Sequence, residues 1–198
     1  MERTGTRVLT APQGRTLEIA RQIALVVGGS LFVTLCARVT IPLPFTPVPL
    51  TVQNFGVLVV GLLLGSRKGF AALALYLAEG AVGFHVFNPA GPGGIAQIVG
   101  ATGGYLMAYP FVAALAGFIF ERGKKSFARA AFSGLLAEIL LFTIGLSWLY
   151  VIVHSLAKAT YLGLYWFVPG EVVKVMFAAA IAARWSNKSD EHTAGVSR

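Results

Sequence analysis

Four ionisable residues interrupt apolar stretches of this sequence: Glu79, Glu138, Glu171 and Lys174. If those stretches cross a membrane, each charge costs about 2.5 to 3.5 kcal/mol at the helix centre, so such residues usually have a function. Glu171 and Lys174 are three positions apart in "PGEVVKVMF" and share one face of a helix that begins near Pro169. The pattern is typical either of a self-neutralising ion pair or of an acceptor and a donor that together hold a polar ligand.

The other candidates for chemistry are weaker. Glu79 and Glu138 are each isolated beside small residues, which favours a structural role between helices. His85 and His154 lie near the ends of apolar runs without a metal-ligand pattern. The sequence has no phosphate-binding loop, zinc-protease motif or nucleophile elbow. We therefore expect a protein that is not an enzyme, with no cofactor and no metal, and with any ATP hydrolysis carried out by another chain.

The composition indicates what surrounds these residues. Of the 198 residues, 56% are hydrophobic and only 12% are charged, and the mean hydropathy is +0.74. These values are typical of a chain that crosses a lipid bilayer several times. The net charge of +8 does not indicate a nucleic-acid partner, because no basic stripe is interleaved with aromatic residues.

Apolar runs bounded by charges, prolines or glycines predict an all-α membrane protein with six transmembrane helices. The predicted spans are 17–39, 50–64, 70–84, 103–120, 127–152 and 169–184. We predict a flexible N-terminal tail over 1–15, a transmembrane domain over 16–185 and a flexible C-terminal tail over 186–198. Several spans are short, since 15 helical residues reach only about 22 Å across a hydrocarbon core of roughly 30 Å.

The positions of lysine and arginine predict the orientation. With both termini in the cytoplasm, thirteen of the sixteen basic residues fall on the cytoplasmic side. Arg38 and Lys158 remain outside, and Lys174 lies within a span. The loops near residues 41–56, 85–105 and 154–168 then face outward.

Two of these outer loops are apolar and rich in proline or glycine. The first, "IPLPFTPVPLTVQNFG", covers residues 41–56 and contains four prolines. Irregular backbone at membrane depth is tolerated where it is buried in protein or lines a cavity. The loops therefore predict a binding site that opens outward, with 42–49 as a stiff lid over it.

Three stretches resemble the BioY family, the biotin-specific S components of bacterial energy-coupling factor (ECF) transporters. They are "PFTPVPLTVQNFGVLVVGLLLG" (44–65), "YLAEGAVGFHVFNPAGPGGIAQIVGATGGYLMAYP" (76–110) and "FVPGEVVKVMFA" (167–178). The resemblance implies the six-helix ECF S-component fold in a bacterial inner membrane. It also implies capture of biotin from outside and delivery inward, with a membrane T component and two ATP-binding-cassette ATPases as partners.

The same resemblance implies two surfaces. A small-residue stripe on the first helix, at Ala20, Ala24 and Gly28, matches the surface that docks on the T component. The lid corresponds to the first outer loop, which in this family closes over the ligand. Its lid residues here are Thr46, Pro47, Val48 and Pro49.

For the ligand itself, we expect Glu171 to accept hydrogen bonds from the ureido N–H groups of biotin. Lys174 would donate either to the ureido carbonyl or to the carboxylate. Secondary candidates are Asn88, Gln53, Tyr105 and Thr102, the last also a possible helix cap. The rival hypotheses are an S component for another vitamin, such as thiamine or riboflavin, and a polytopic membrane enzyme.

Overall fold

The computed structural model describes residues 13–196 and the side chains of 14–186, and this part of the chain is almost entirely helical. The described residues form seven helices and two short strands. In chain order they are α1 (Gln13–Arg38), β1 (Thr40–Ile41), β2 (Leu50–Thr51), α2 (Gln53–Ala81), α3 (Gly94–Val99), α4 (Gly103–Glu121), α5 (Phe127–Val153), α6 (Leu156–Gly163) and α7 (Val168–Val196). The predicted tails, 1–15 and 186–198, lie largely outside the residues with described side chains and stay a prediction.

Four of these helices, α1, α2, α4 and α5, are long and apolar enough to cross a membrane. A fifth candidate is the pair α6 and α7, which is bent by 50° at the break between the two helices. The chain is therefore a multi-pass membrane protein. Two of the six predicted spans, 50–64 and 70–84, correspond to the two halves of the single helix α2. Each extends three residues beyond an end of that helix.

Helix α2 changes direction at Gly65, whose backbone has φ of 81° and ψ of 175°. A Cβ placed on Gly29 of α1 would lie 2.9 Å from Cβ of Ala72 and 3.4 Å from Cγ1 of Val60. Twelve residues of straight helix would separate Ala72 and Val60 by about 18 Å, so the two arms of α2 must fold back on each other. Glycine is required at the turn because other residues rarely adopt this φ.

The folded-back α2 packs closely on α4. A Cβ on Gly61 would collide with the Ala113 carbonyl, and one on Gly117 would collide with the backbone at Gly65 and Ser66. The glycines therefore allow the two backbones to touch, as small residues do between membrane helices. The core lies around this contact, whereas α1 covers one side of it and leaves most of its own surface exposed.

One predicted span boundary was wrong, and one predicted outer loop contains a helix. The second span does not begin at Leu50, because Leu50 and Thr51 form a strand that pairs antiparallel with Ile41 and Thr40. The loop 154–168 is not irregular throughout, because it contains α6. Ser155 caps that helix by accepting a bond from the Lys158 N–H, which satisfies one of its free donors.

The three connections 42–49, 83–102 and 154–167 meet at one end of the bundle. Thr46 in the first bonds to Leu162 in the third, and Pro47 in the first lines a common cavity with Gly91 in the second. The Gly65 turn contacts Glu121 at the opposite end. The loops that were predicted to cooperate are thus assembled together.

Candidate functional site

A cavity of about 50 Å³ lies beneath the proline-rich loop, where the first turns of α2, α4 and α7 meet α5. Val48 and Pro49 of the loop form part of its wall. The remaining walls combine apolar side chains, including Leu106, Leu141 and Phe167, with a few polar ones. Sites for small organic ligands have this composition, in which a few polar groups orient a mostly apolar molecule.

Asn54 and Glu171 form the floor of the cavity and belong to a network of charged and amide side chains. Lys174 Nζ lies 2.7 Å from Glu171 Oε1, and their side chains are only 14% and 9% exposed. Asn54 Nδ2 donates to Glu171 Oε2 at 2.8 Å and to Glu138 Oε1 at 2.5 Å. One amide therefore joins two buried carboxylates, and one ammonium neutralises part of their charge.

Three buried polar atoms at the cavity have no hydrogen-bond partner within the described part of the chain. They are Gln53 Nε2, Asn54 Oδ1 and Asn88 Oδ1, on side chains that are at most 5% exposed. Glu138 Oε2 also lacks a partner there. Buried polar groups are nearly always bonded, so these atoms are available to ordered water or to a polar ligand in the cavity.

The proline-rich loop is attached to the α6 region by specific contacts. Thr46 Oγ1 donates to the Leu162 carbonyl at 2.6 Å and accepts from the Val48 N–H at 3.1 Å. Phe45 packs on Trp166 with the ring centroids 4.7 Å apart. Of the four predicted lid residues, Val48 and Pro49 line the cavity, Pro47 lines the neighbouring space, and Thr46 attaches the loop to α6.

The structure brings most of the predicted ligand residues together. Glu171, Gln53, Asn88, Tyr105 and Thr102 all line the cavity. Tyr105 uses its hydroxyl to donate to the Gly163 carbonyl at 2.9 Å, so the ring rather than the hydroxyl is the surface that it offers.

The structure bears on the alternatives that were predicted for Lys174 and Thr102. Lys174 does not line the cavity and lies behind Glu171, to which it is bonded. Thr102 occupies the N-cap position of α4, but its side chain makes no capping bond. Thr102 therefore borders the cavity with a hydroxyl that is not used as a helix cap, whereas Lys174 is joined to the cavity wall only through its bond to Glu171.

Sequence reasoning missed Asn54. It was overlooked as the neighbour of Gln53, although two adjacent amides at the start of an apolar helix are themselves an unusual signal. For Glu138 the sequence favoured a structural role between helices, and its bond from Asn54 of α2 is such a contact, within the same hydrogen-bond network as Glu171. Only the three-dimensional packing of α2, α5 and α7 shows that these side chains belong together.

The remaining predicted residues lie away from the cavity. Ala20, Ala24 and Gly28 are exposed on α1, and nothing lies within 4 Å of a Cβ placed on Gly28. Glu79 accepts a short hydrogen bond from Ser30 of α1, which fits the structural role predicted for it. Among the described residues, no group of three or more histidine, cysteine, aspartate or glutamate side chains could hold a metal ion.

Comparison with known proteins gives consistent matches over most of the chain. The model of the BioY family matches residues 6–190. A probable biotin transporter BioY of Pyrococcus horikoshii is 38% identical over 167 residues, which are 83% of this chain and 96% of that protein. The biotin transporter BioY of Thermotoga maritima is 37% identical over 144 residues, or 73% of this chain and 84% of that one.

A solved structure gives an independent comparison of the fold. The S component for biotin from an ECF-type ABC transporter matches with a TM-score of 0.77. The match covers 89% of this chain and 95% of the other, at 24% sequence identity. The arrangement of helices described above is therefore the S-component fold.

Proposed function

The chain belongs to the BioY family, and we propose that it is the biotin-binding S component of an ECF transporter. It captures biotin at the end of the bundle where the three loops meet and delivers it inward with an energy-coupling module. The observation that carries this proposal is the cavity floor, where Glu171 and three unpaired amide atoms surround one small space.

The chemistry of biotin fits these groups. Its ureido group has two N–H donors and one carbonyl acceptor, and its fused ring and chain are apolar. The carboxylate of Glu171 and the Asn54 and Asn88 oxygens can accept, while Gln53 Nε2 can donate to the carbonyl. The apolar ring system would pack against walls such as Leu106 and Phe167.

We propose that Lys174 contributes indirectly. Its ion pair keeps the Glu171 carboxylate in place and compensates its charge in a region of low dielectric. Glu138 supports the same carboxylate through Asn54. If the lysine instead donates to biotin itself, as the sequence suggested, one of its two remaining N–H donors must reach the cavity, which Lys174 does not line here.

Access of biotin requires the lid to move. The cavity volume of about 50 Å³ is well below the roughly 300 to 1,000 Å³ of typical ligand sites. The segment 42–49 is attached to α6 by the Thr46 bond and the Phe45 ring contact, both of which can break without unfolding a helix. We propose that this segment opens to admit biotin and closes over it.

We propose six spans with both ends of the chain in the cytoplasm. The fold-back at Gly65 supports this count, because it divides α2 into the two arms 53–64 and 66–81. The turn also places Arg67 and Lys68 at the end of the bundle near Arg122, opposite the cavity. A concentration of basic residues marks the cytoplasmic side, so the cavity opens outward.

The exposed face of α1 supports the proposed partners. Ala20, Ala24 and Gly28 leave a shallow groove in which another helix can approach closely. We propose that the membrane T component binds there, with two ATP-binding-cassette ATPases attached to it, in the inner membrane of a bacterial cell.

Ligand binding to the purified full-length chain in detergent tests the proposal. Calorimetry should show saturable biotin binding below micromolar concentration and none with thiamine or riboflavin. Glu171→Gln should weaken biotin binding about tenfold or more, since it removes a buried charged acceptor. Glu18→Gln, which changes an exposed carboxylate on α1, is the matched control and should leave affinity unchanged.

Three results would overturn the assignment. Saturable binding of another vitamin without biotin binding would make the chain an S component of different specificity. Wild-type affinity in Glu171→Gln would place the ligand elsewhere. Turnover of a ligand by the purified chain would favour the membrane-enzyme hypothesis, against which membership of a transporter family already argues.

A further inference from the structure

A second and larger depression, of about 420 Å³, lies beside the proline-rich loop at the same end of the bundle. Arg38, at the end of α1, forms one side of it, and the segment 83–94 forms the rest. His85 and Asn88 are its other polar side chains. We call this depression the outer vestibule.

The outer vestibule connects to the cavity under the lid through Asn88. This residue lines the vestibule, the cavity and a third space of about 200 Å³ between them. That intermediate space lies between Pro47 of the lid and Thr102 of α4. Asn88 is only 5% exposed, and its Oδ1 has no partner within the described residues. Three neighbouring spaces, from the exposed vestibule to the cavity at Glu171, thus share one buried amide.

The loops at this end of the protein carry no carboxylate side chain. The segments 39–52, 82–102 and 154–167 contain no aspartate or glutamate. Arg38 is exposed, and among the described residues it makes no ion pair. Its guanidinium is therefore available to an anion that approaches from solution, in contrast to Lys174, which is already paired.

We propose that the outer vestibule is an anion-capture site that holds the carboxylate of the incoming ligand before the ligand passes Asn88 into the cavity. The proposal rests on the proposed function, because it identifies the ligand as a carboxylate-bearing apolar molecule. Arg38 supplies the attraction in the encounter complex, while the bound complex depends on the groups around Glu171. A charge with this role changes the association rate and its salt dependence.

The expected effect is modest and specific. Two unit charges about 7 Å apart in water attract by about RT, which corresponds to a factor of about three in rate. Arg38→Gln should therefore lower the association rate of biotin about threefold at low ionic strength and leave the dissociation rate unchanged. At about 0.5 M salt the Debye length is about 4 Å, so the difference should disappear.

Stopped-flow binding to the full chain in detergent measures these rates. Biotin amide, which has no carboxylate, should associate equally fast with the wild type and Arg38→Gln. Arg38→Lys should retain the fast association and thus exclude a folding defect at the end of α1. Lys158→Gln removes an exposed charge at the same end that does not line the vestibule, and it is the matched control.

Each outcome decides between the hypotheses. A wild-type association rate in Arg38→Gln, or an equal loss with biotin amide, overturns the capture site and leaves the proposed function intact. A faster dissociation in Arg38→Gln also overturns it, because Arg38 would then contact the bound ligand. Absence of biotin binding to the wild type would instead contradict the proposed function itself.

Discussion

Replacing Lys174 with methionine should destabilise the protein strongly, and adding Glu171→Gln should restore part of the loss. Lys174→Met removes the ammonium from Glu171, and the Glu171 and Glu138 carboxylates then share Asn54 without a cation. Breaking a buried pair from one side costs about 3 to 5 kcal/mol. Because the lysine side chain is still 14% exposed, we expect a loss of stability of about 3 kcal/mol, at the lower end of that range.

For a chain of this size, about 3 kcal/mol corresponds to an unfolding temperature lower by roughly 6 to 12 °C. The double variant Glu171→Gln/Lys174→Met has no uncompensated charge at this position. Its loss of stability should be smaller than the sum of the two single losses by about 1 to 3 kcal/mol, which is the usual coupling energy of residues in contact. Biotin binding should nevertheless stay at least about tenfold weaker in all three variants, because each removes either the Glu171 charge or the ammonium that holds it in place.

The assay is thermal unfolding of purified protein in detergent, combined with calorimetric titration of biotin. Arg21→Met is the matched control, because Arg21 pairs with Glu18 at 3.6 Å with both side chains more than half exposed. That exposed pair should contribute at most about 1 kcal/mol. An unchanged unfolding temperature in Lys174→Met, or strictly additive losses in the double variant, would refute the view that the pair acts as a unit.

Three further predictions concern the lid, the turn in α2 and the α1 surface. Thr46→Val breaks the bond to the Leu162 carbonyl, which contributes about 1 kcal/mol. Biotin should therefore dissociate about fivefold faster in stopped-flow traces. Thr46→Ser keeps the hydroxyl and should not differ from wild type. Gly65→Ala should sharply reduce the yield of folded protein in size-exclusion chromatography, because φ is 81° at this position and the Glu121 side chain occupies the place of the Cβ. Gly28→Ala is the control and should leave the yield unchanged, because a Cβ on Gly28 lies in open space. Ala24→Trp should abolish co-purification with a T component and preserve biotin binding.

The ends of α4 and α5 were predicted to within one residue, because they coincide with strong local signals. Gly103 follows a glycine-rich loop, and Ser126 caps α5 by accepting from the Arg129 N–H. The turn at Gly65 was predicted as a longer loop over 65–69. One glycine is enough to reverse the chain, however, and the following Ser66, Arg67 and Lys68 resume the helix at once.

The candidate site could be predicted from the sequence where a charged residue interrupts an apolar span, because a charge is costly to bury there. Glu171 was identified in this way, and it lines the cavity. Asn54 is 117 residues away from Glu171 in the sequence and 84 residues away from Glu138. No local pattern indicates contacts over such separations. The orientation of Lys174 was also undetermined, because a lysine three residues after a glutamate can either pair with it or extend past it.

The position of the lid contacts indicates how far the opening motion extends. The loop is closed at its base by the pairing of Thr40 with Thr51 and of Ile41 with Leu50, which holds both ends of 42–49 in register. Its four prolines restrict φ, so the loop has little backbone freedom to lose when it closes. A stiff loop fixed at its base moves as a unit about that base. The proposed opening would therefore require loss of the Thr46 bond and the Phe45 contact, while α2 and the Asn54 network beneath the loop would stay in place.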